Sequence, residues 1–236
     1  MTFDNQKKVA IVTGSSRGLG HAITKTLRSN NIDVIGVSRN LIEDQFHKKC
    51  DIRREKEVRN LIDLIIKEFK KIDILVNNAG VFTNKDISKT KLDDWNNVIN
   101  TNLTGAFLLS KYILPHMRKK KYGKIINISS IAGRSFSQTA SVEYTVSKYG
   151  LIGLTKQLAQ KYGKHGININ CLCPSQIRTE MLTENINAND IKKIERRIPL
   201  NRIASPEEVA NVVLFLCSEK SKYIHGSALD INGGQL

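Results

Sequence analysis

An apolar run that passes straight into a glycine-rich turn constrains this chain more than any other feature. Lys8–Thr13 (KVAIVT) shows no polar alternation, as expected of a strand covered on both faces. It continues into Gly14-Ser15-Ser16-Arg17-Gly18-Leu19-Gly20. Leu19, Ile23 and Leu27 then fall at i, i+4 and i+8, which predicts a helix over Gly18–Arg28. A strand, a glycine turn and a helix in that order make the first unit of a β-α-β fold.

The alternation persists to the end of the chain. Asp33–Ser38 reads as a second buried strand and His47–Asp51 as a weak third. Glu55–Phe69 carries Val58, Leu61, Ile62, Ile65 and Ile66 on one helical stripe. Strands are predicted at Asp73–Asn77, Lys124–Ser129, Ile167–Cys173 and Ala228–Ile231. Helices are predicted at Trp95–Met117, Tyr144–Tyr162 and Pro206–Cys217, the last opened by Ser205 as N-cap with Pro206 at its first position. The 236 residues suit one core, since ~100–250 residues fill a single domain. Right-handed crossovers then give one α/β domain over residues 1–236. It is a Rossmann-type, doubly wound parallel sheet of strand order 3-2-1-4-5-6-7, with helices on both faces and ligands at the carboxyl ends of the strands.

Composition removes other classes. Fifteen glycines without a period exclude a collagen-like chain, and 40% hydrophobic residues exceed what a disordered chain carries. No apolar run reaches the ~18 residues that span a membrane. The stretch after Lys8 is too short for a signal peptide. Cys50, Cys171, Cys173 and Cys217 are too scattered for a disulfide framework or a zinc site, and the five histidines show no metal spacing. A soluble, cytoplasmic protein without a metal is the expectation. The charge asks for an explanation, because 37 Lys and Arg against 22 Asp and Glu give a formal +15. Such an excess marks a nucleic-acid binder, a membrane-surface protein, a partner of something acidic, or a solvated basic surface. No nucleic-acid motif or basic–aromatic stretch accompanies it, and only 6% of residues are aromatic. Neither nucleic acid nor membrane is therefore an expected partner.

Between a strand and a helix, the glycine turn lets backbone N–H groups and the helix N-terminus face a pyrophosphate. Its spacing is G-x-x-x-G-x-G rather than G-x-G-x-x-G, and glycines at such a turn can also be merely structural. An acidic residue ending the second strand would hold a ribose 2′-hydroxyl. Here that strand ends Val37-Ser38-Arg39-Asn40, with no carboxylate. Arg17 and Arg39 can converge on this corner and bind a phosphate by charge-assisted hydrogen bonds. The expected cofactor is NADP(H); two solvated arginines are the alternative.

Tyr144 and Lys148 stand at i and i+4 of a predicted helix and so share one face. An unperturbed tyrosine titrates near ~10, and a neighbouring ammonium lowers that value toward neutrality. A carbonyl reductase needs such a proton donor, because hydride arriving at carbon leaves charge on oxygen. None of the other five tyrosines has a lysine four residues later. Ser129-Ser130 closes the strand Lys124–Ser129, where a serine either bonds a substrate oxygen or caps local backbone. No base accompanies it, so nucleophilic catalysis is not expected.

Six motifs occur in order: TGSSRGLG at 13–20, NNAG at 77–80, NTNLTGAF at 100–107, ISS at 128–130, YTVSK at 144–148 and NINCLCP at 168–174. Together they resemble the short-chain dehydrogenase/reductases along essentially the whole chain. TEMLTEN at 179–185, IPLNRIASPEEVA at 198–210 and DINGGQL at 230–236 are similar to the 3-oxoacyl-[acyl-carrier-protein] reductase group within that family. The resemblance implies Tyr144 as general acid and Ser130 as the residue that orients the carbonyl. Ser130 rather than Ser129 fits that slot because Ile131-Ala132-Gly133 follows it. Lys148 is implied to tune Tyr144 and hold the nicotinamide ribose, and Asn102 to position a water that relays protons to Lys148. The implied cofactor set is Gly14, Ser16, Arg17, Gly18, Leu19, Gly20, Ser38, Arg39, Asp51, Ile52, Asn77, Ala79, Gly80, Tyr144, Lys148, Pro174, Ile177 and Thr179. Within it, Asp51 and Ile52 resemble the adenine contact and Asn77, Ala79 and Gly80 the segment beside the adenosine ribose. Ile177 and Thr179 resemble the contacts to the carboxamide.

Two departures from the family stand out. Pro174-Ser175 replaces the usual Pro-Gly, and the stretch between Arg39 and Asp51 leaves little room for a full helix. The implied activity is NADPH-dependent reduction of a 3-oxoacyl thioester on an acyl carrier protein or CoA. Alternatives are another carbonyl (acetoacetyl-CoA, a sugar, a steroid or a quinone) or a cofactor-binding protein without turnover. Selection is expected in Val81–Ser88, Arg134–Thr139 and Arg178–Arg197, stretches that read as loops. Arg118-Lys119-Lys120-Lys121, with Lys161, Lys164 and His165, ends two helices. These residues either meet the helix dipole or dock an acidic carrier protein or the phosphates of CoA. Helices Trp95–Met117 and Tyr144–Tyr162 carry more apolar surface than one sheet face requires, which suggests subunit contacts. The family resemblance implies a homotetramer.

Overall fold

The computed structural model describes residues 7–40, 42–137, 139–183 and 188–236. Its strands are β1 (Lys8–Thr13), β2 (Ile32–Ser38), β3 (His47–Lys49), β4 (Ile74–Asn77), β5 (Gly123–Ile128), β6 (Ile167–Pro174) and β7 (Ala228–Ile231). They form one parallel sheet in the order β3-β2-β1-β4-β5-β6-β7, as the β-α alternation predicts. Strand order reverses between β1 and β4, and a crevice opens there at the carboxyl edge.

Both faces of the sheet are covered, which is why its strands read as unbroken apolar runs. Val9 and Ile11 point to one face with Ile35 and Val37, packed under α2 (Glu55–Phe69) and α4 (Gly105–Lys120). Ala10 and Val12 point to the other with Val34 and Val76, under α1 (Gly18–Ser29) and α8 (Pro206–Cys217). The start of α8 is fixed by a capping box, in which Ser205 Oγ accepts the Glu208 N–H at 3.3 Å and Glu208 Oε2 accepts the Ser205 N–H at 2.8 Å.

The expected single helix over Trp95–Met117 is three pieces. α3 (Leu92–Ile99) passes through one π turn, Asn100–Thr104, into α4. The wider turn leaves the axis unbroken, so the stretch reads as one continuous helix. Between β2 and β3 the described residues hold no helix, matching the short sequence there. α5 (Val142–Tyr162) follows β5. Two helices that the sequence reading did not name, α6 (Glu180–Thr183) and α7 (Ala188–Arg196), follow β6.

The basic helix ends are not at the crevice. A helix returning between parallel strands runs against them, so its C-terminus reaches the amino edge of the sheet. Lys120 pairs there with the buried Asp73 carboxylate just before β4, and Asp73 Oδ2 accepts the Val9 N–H at 2.9 Å. The Lys121 carbonyl lies against Gly166, which precedes β6. This corrects the reading of these lysines as a docking patch for the substrate's carrier, since the mouth of the crevice is at the opposite edge.

Candidate active site

The carboxyl ends of the central strands border a cleft of about 830 Å³. One end is the turn after β1. Gly14 has a φ of 66°, and a β-carbon on Gly20 would stand 2.1 Å from the Gly14 carbonyl oxygen, so no larger residue allows α1 to start this close to the strand. α1 has no side-chain cap and no acid of its own in its first turn, and the carboxylate that faces it is Glu180 of α6, whose Oε2 would stand 3.3 Å from a β-carbon on Gly18. Asn78 braces the turn. Its backbone N–H donates to Thr13 Oγ1 at 3.0 Å, and its Nδ2 donates to the Thr13 carbonyl at 2.9 Å.

Of the sequence-predicted cofactor residues, Gly14, Ser16, Arg17, Gly18, Leu19, Gly20, Ser38, Arg39, Asp51, Ile52, Ala79, Gly80, Tyr144, Lys148, Pro174, Ile177 and Thr179 all line this cleft. Asn77 does not. Successive strand residues face opposite ways, and Asn77 Nδ2 donates instead to Asn127 Oδ1 at 2.8 Å inside the fold. Its expected place beside the ribose belongs to no Asn77 atom, and Asn78 is the asparagine at the cleft. The Asp51 carboxylate is held by Arg53 at 2.6 Å, and that hydrogen bond keeps it below the usual carboxylate range. The loop after Pro174-Ser175 is tied at two points. Ser175 N–H donates to the Ile231 carbonyl at 2.9 Å, and Ile177 forms a parallel bridge to Ala204.

At the other end stand Ser130, Tyr144 and Lys148. Ser141 caps α5 by accepting the Tyr144 N–H at 3.4 Å, which starts the helix early enough to put Tyr144 and Lys148 together on the cleft. Lys148 Nζ lies 5.5 Å from the centre of the Tyr144 ring and donates to the Ile128 carbonyl at 2.9 Å. Burial pushes the Lys148 ammonium down to about 8 and raises the Tyr144 phenol, while a hydrogen bond from Ser130 opposes the rise. Burial of the phenol and a neighbouring ammonium act on Tyr144 in opposite senses.

Asn102 sits buried in the π turn, with Thr101 rather than itself on the cleft wall. Its Oδ1 accepts the Val81 N–H at 2.8 Å, and its Nδ2 donates to the Val81 carbonyl at 3.1 Å and to Ser147 Oγ at 3.0 Å. A β-carbon on Gly80 would be 3.4 Å from Asn102 Oδ1 and 3.7 Å from Lys148 Nζ, so the two side chains flank one point. Val81, Phe82, Ile131, Leu182 and Ile194 add an apolar wall. Phe82 presents its ring edge-on to Tyr144, centroids 5.2 Å apart. Spacing rules miss these residues, because loops and helices this short carry no readable period. Ser137 and Thr139 also line the cleft; Gln138 and residues 184–187, within two of the three expected selection stretches, lie outside the described residues.

Among the described residues no group of three His, Cys, Asp or Glu could hold a metal, and no helix is long and apolar enough to cross a membrane. A glycine cradle at the start of α1, a cleft of this volume and a Tyr–Lys pair on its wall fit a dinucleotide. The pattern of a family described as enoyl-(acyl carrier protein) reductase matches residues 14–235. The chain is a short-chain dehydrogenase/reductase. It is 40% identical to the 3-oxoacyl-[acyl-carrier-protein] reductase FabG of Aquifex aeolicus, over 99% of both chains. It is 35% identical to the FabG of Escherichia coli K12, over 99% of this chain and 98% of that one. Among solved structures, the ligand-free aldohexose dehydrogenase of Thermoplasma acidophilum superposes with a TM-score of 0.91. That pair is 34% identical, over 98% of this chain and 95% of the other. As a member of this family the protein is an oxidoreductase that interconverts carbonyl and hydroxyl groups with a nicotinamide cofactor.

Proposed function

We propose that this short-chain reductase uses NADPH to reduce the 3-oxo group of an acyl thioester carried on an acyl carrier protein or on CoA. The observation that supports it most is the meeting of Ser130, Tyr144 and Lys148 at one end of a cleft whose other end holds Arg17 and Arg39. The names of the FabG relatives point the same way. The bound nicotinamide supplies the hydride. Tyr144 donates its phenolic proton to the carbonyl oxygen as charge develops there, and Ser130 donates a hydrogen bond to the same oxygen. Lys148 returns a proton to Tyr144 and binds the nicotinamide ribose; Asn102 holds the water that re-protonates Lys148. Gly14, Ser16, Gly18, Leu19 and Gly20 would cradle the pyrophosphate, and Arg17 and Arg39 the 2′-phosphate, with Ser38 in the turn that carries Arg39. Asp51 and Ile52 would meet the adenine, Ala79 and Gly80 the ribose, and Pro174, Ile177 and Thr179 the carboxamide.

The aldohexose dehydrogenase likeness favours a second reading, oxidation of a sugar. The apolar wall of Phe82, Ile131, Leu182 and Ile194 suits an acyl chain better than a polyol, which needs polar partners for each hydroxyl. Loss of NADPH absorbance with acetoacetyl-CoA, a longer carrier-bound 3-oxoacyl thioester and small ketones, and its gain from NADP+ with aldohexoses, test both. Turnover of thioesters above all others is expected; sugars turning over faster overturns the reading. Exposed Val142, Val146 and Tyr149 on α5 and Phe107 on α4 support self-association as a homotetramer.

A further inference from the structure

The corner that would receive a 2′-phosphate is backed by a histidine that the reaction does not use. β3 pairs with β2 so that His47 lies opposite Gly36. The ring is 4% exposed and shares with Ser15 the slot that Gly36 leaves, since a β-carbon there would stand 2.6 Å from Ser15 Oγ and 3.1 Å from His47 Cδ2. Ser38 Oγ is 2.6 Å from the Asn40 carbonyl oxygen and 3.0 Å from His47 Nε2. The hydroxyl owns one proton and a carbonyl can only accept, so that proton is on the bond to Asn40. His47 Nε2 must then be the donor to Ser38. This fixes the Nε2–H tautomer and leaves Nδ1 as a buried acceptor without a partner. The Ser38–Asn40 bond closes a two-residue turn around Arg39.

We infer that His47 is a positioning residue for cofactor selection: by donating to Ser38 it keeps the Ser38 proton on Asn40 and so holds the turn that carries Arg39. The inference rests on the reading of Arg17 and Arg39 as the 2′-phosphate corner. The charged groups facing the ring are Arg28 of α1 and Asp44 of the preceding loop, paired with each other at 2.7 Å. Burial holds the imidazole below its ordinary value, in keeping with a neutral donor.

Fluorescence titration of the full chain with NADPH and with NADH tests this. His47→Phe removes the donor, whereas His47→Gln keeps an N–H at the Nε2 position. Loss of one hydrogen bond that orders a charged contact should raise the NADPH Kd about tenfold in His47→Phe. NADH should change less than about twofold, and His47→Gln should retain most of the NADPH affinity. An NADPH preference that survives His47→Phe, or equal weakening toward both cofactors, overturns the inference. If His47→Phe does not fold, the nitrogen-15 spectrum of the unaltered protein decides, and an Nδ1–H tautomer for His47 overturns it. Equal binding of NADPH and NADH by the unaltered protein would instead refute the reading of Arg17 and Arg39.

Discussion

Lys148 spends its buried ammonium on the main-chain carbonyl of Ile128, 2.9 Å away. Its folded value of about 8 lies below the ordinary 10.5 because burial disfavours the charge. Below pH 8 folded and unfolded chains both carry the proton, and the full cost, on the order of 3 kcal/mol for such a shift, is present. Between pH 8 and 10.5 the folded chain sheds the proton first, so the cost fades as pH rises. Lys148→Met should therefore raise Tm at pH 7 while abolishing turnover, less about 1 kcal/mol for the orphaned Ile128 carbonyl. Thermal melts at pH 7 and pH 10 check this: the advantage of the variant should shrink at the higher pH. An unchanged gap would show that the ammonium is not what burial penalises.

Tyr144→Phe removes one oxygen from a side chain fixed by α5 and by the Phe82 ring edge. The packing should survive and the proton donor should not. A loss of about 10²–10⁴ in kcat is expected, with NADPH Kd unchanged in a fluorescence titration. Residual turnover near that of the parent would mean that another group protonates the product.

Arg17 and Arg39 lie on the same cleft, and no acid ends β2. Arg39→Asp exchanges a phosphate-binding cation for an acid that can accept from a ribose hydroxyl. NADPH should weaken by roughly tenfold or more, and NADH should gain relative to it in kcat/KM. A ratio that does not move would leave the arginines as solvated surface charges.

The parts of this fold that were legible in the sequence are those with a period or a cap. Val9–Val12 alternate between two covered faces, so they read as one apolar run, and Ser205 with Glu208 announces α8. The π turn around Asn102 was not legible, because one wide turn leaves the helix axis continuous from α3 to α4. The choice between Asn77 and Asn78 depended on which face of β4 looks to the cleft, and an NN pair does not state that. α7 offers two apolar isoleucines among charged residues, Ile191 and Ile194, too thin a stripe to predict. The edge on which Lys120 falls follows from strand direction, a property of the assembled sheet rather than of the local segment.

That edge yields the last expectation. Lys120 is the cation that the structure sets against Asp73, whose side chain is 2% exposed. Without it the carboxylate keeps the Val9 N–H as its partner and remains shut away from water. Breaking such a pair costs more than the pair itself contributes, because the remaining charge is stranded. Lys120→Ala should lower stability by about 1–3 kcal/mol in urea unfolding and leave KM for a carrier-bound thioester unchanged. Adding Asp73→Asn to the same chain removes the stranded charge and should recover part of the loss. A rise in KM for the carrier-bound substrate, absent for a small ketone and at unchanged stability, would restore the docking role to this end of α4.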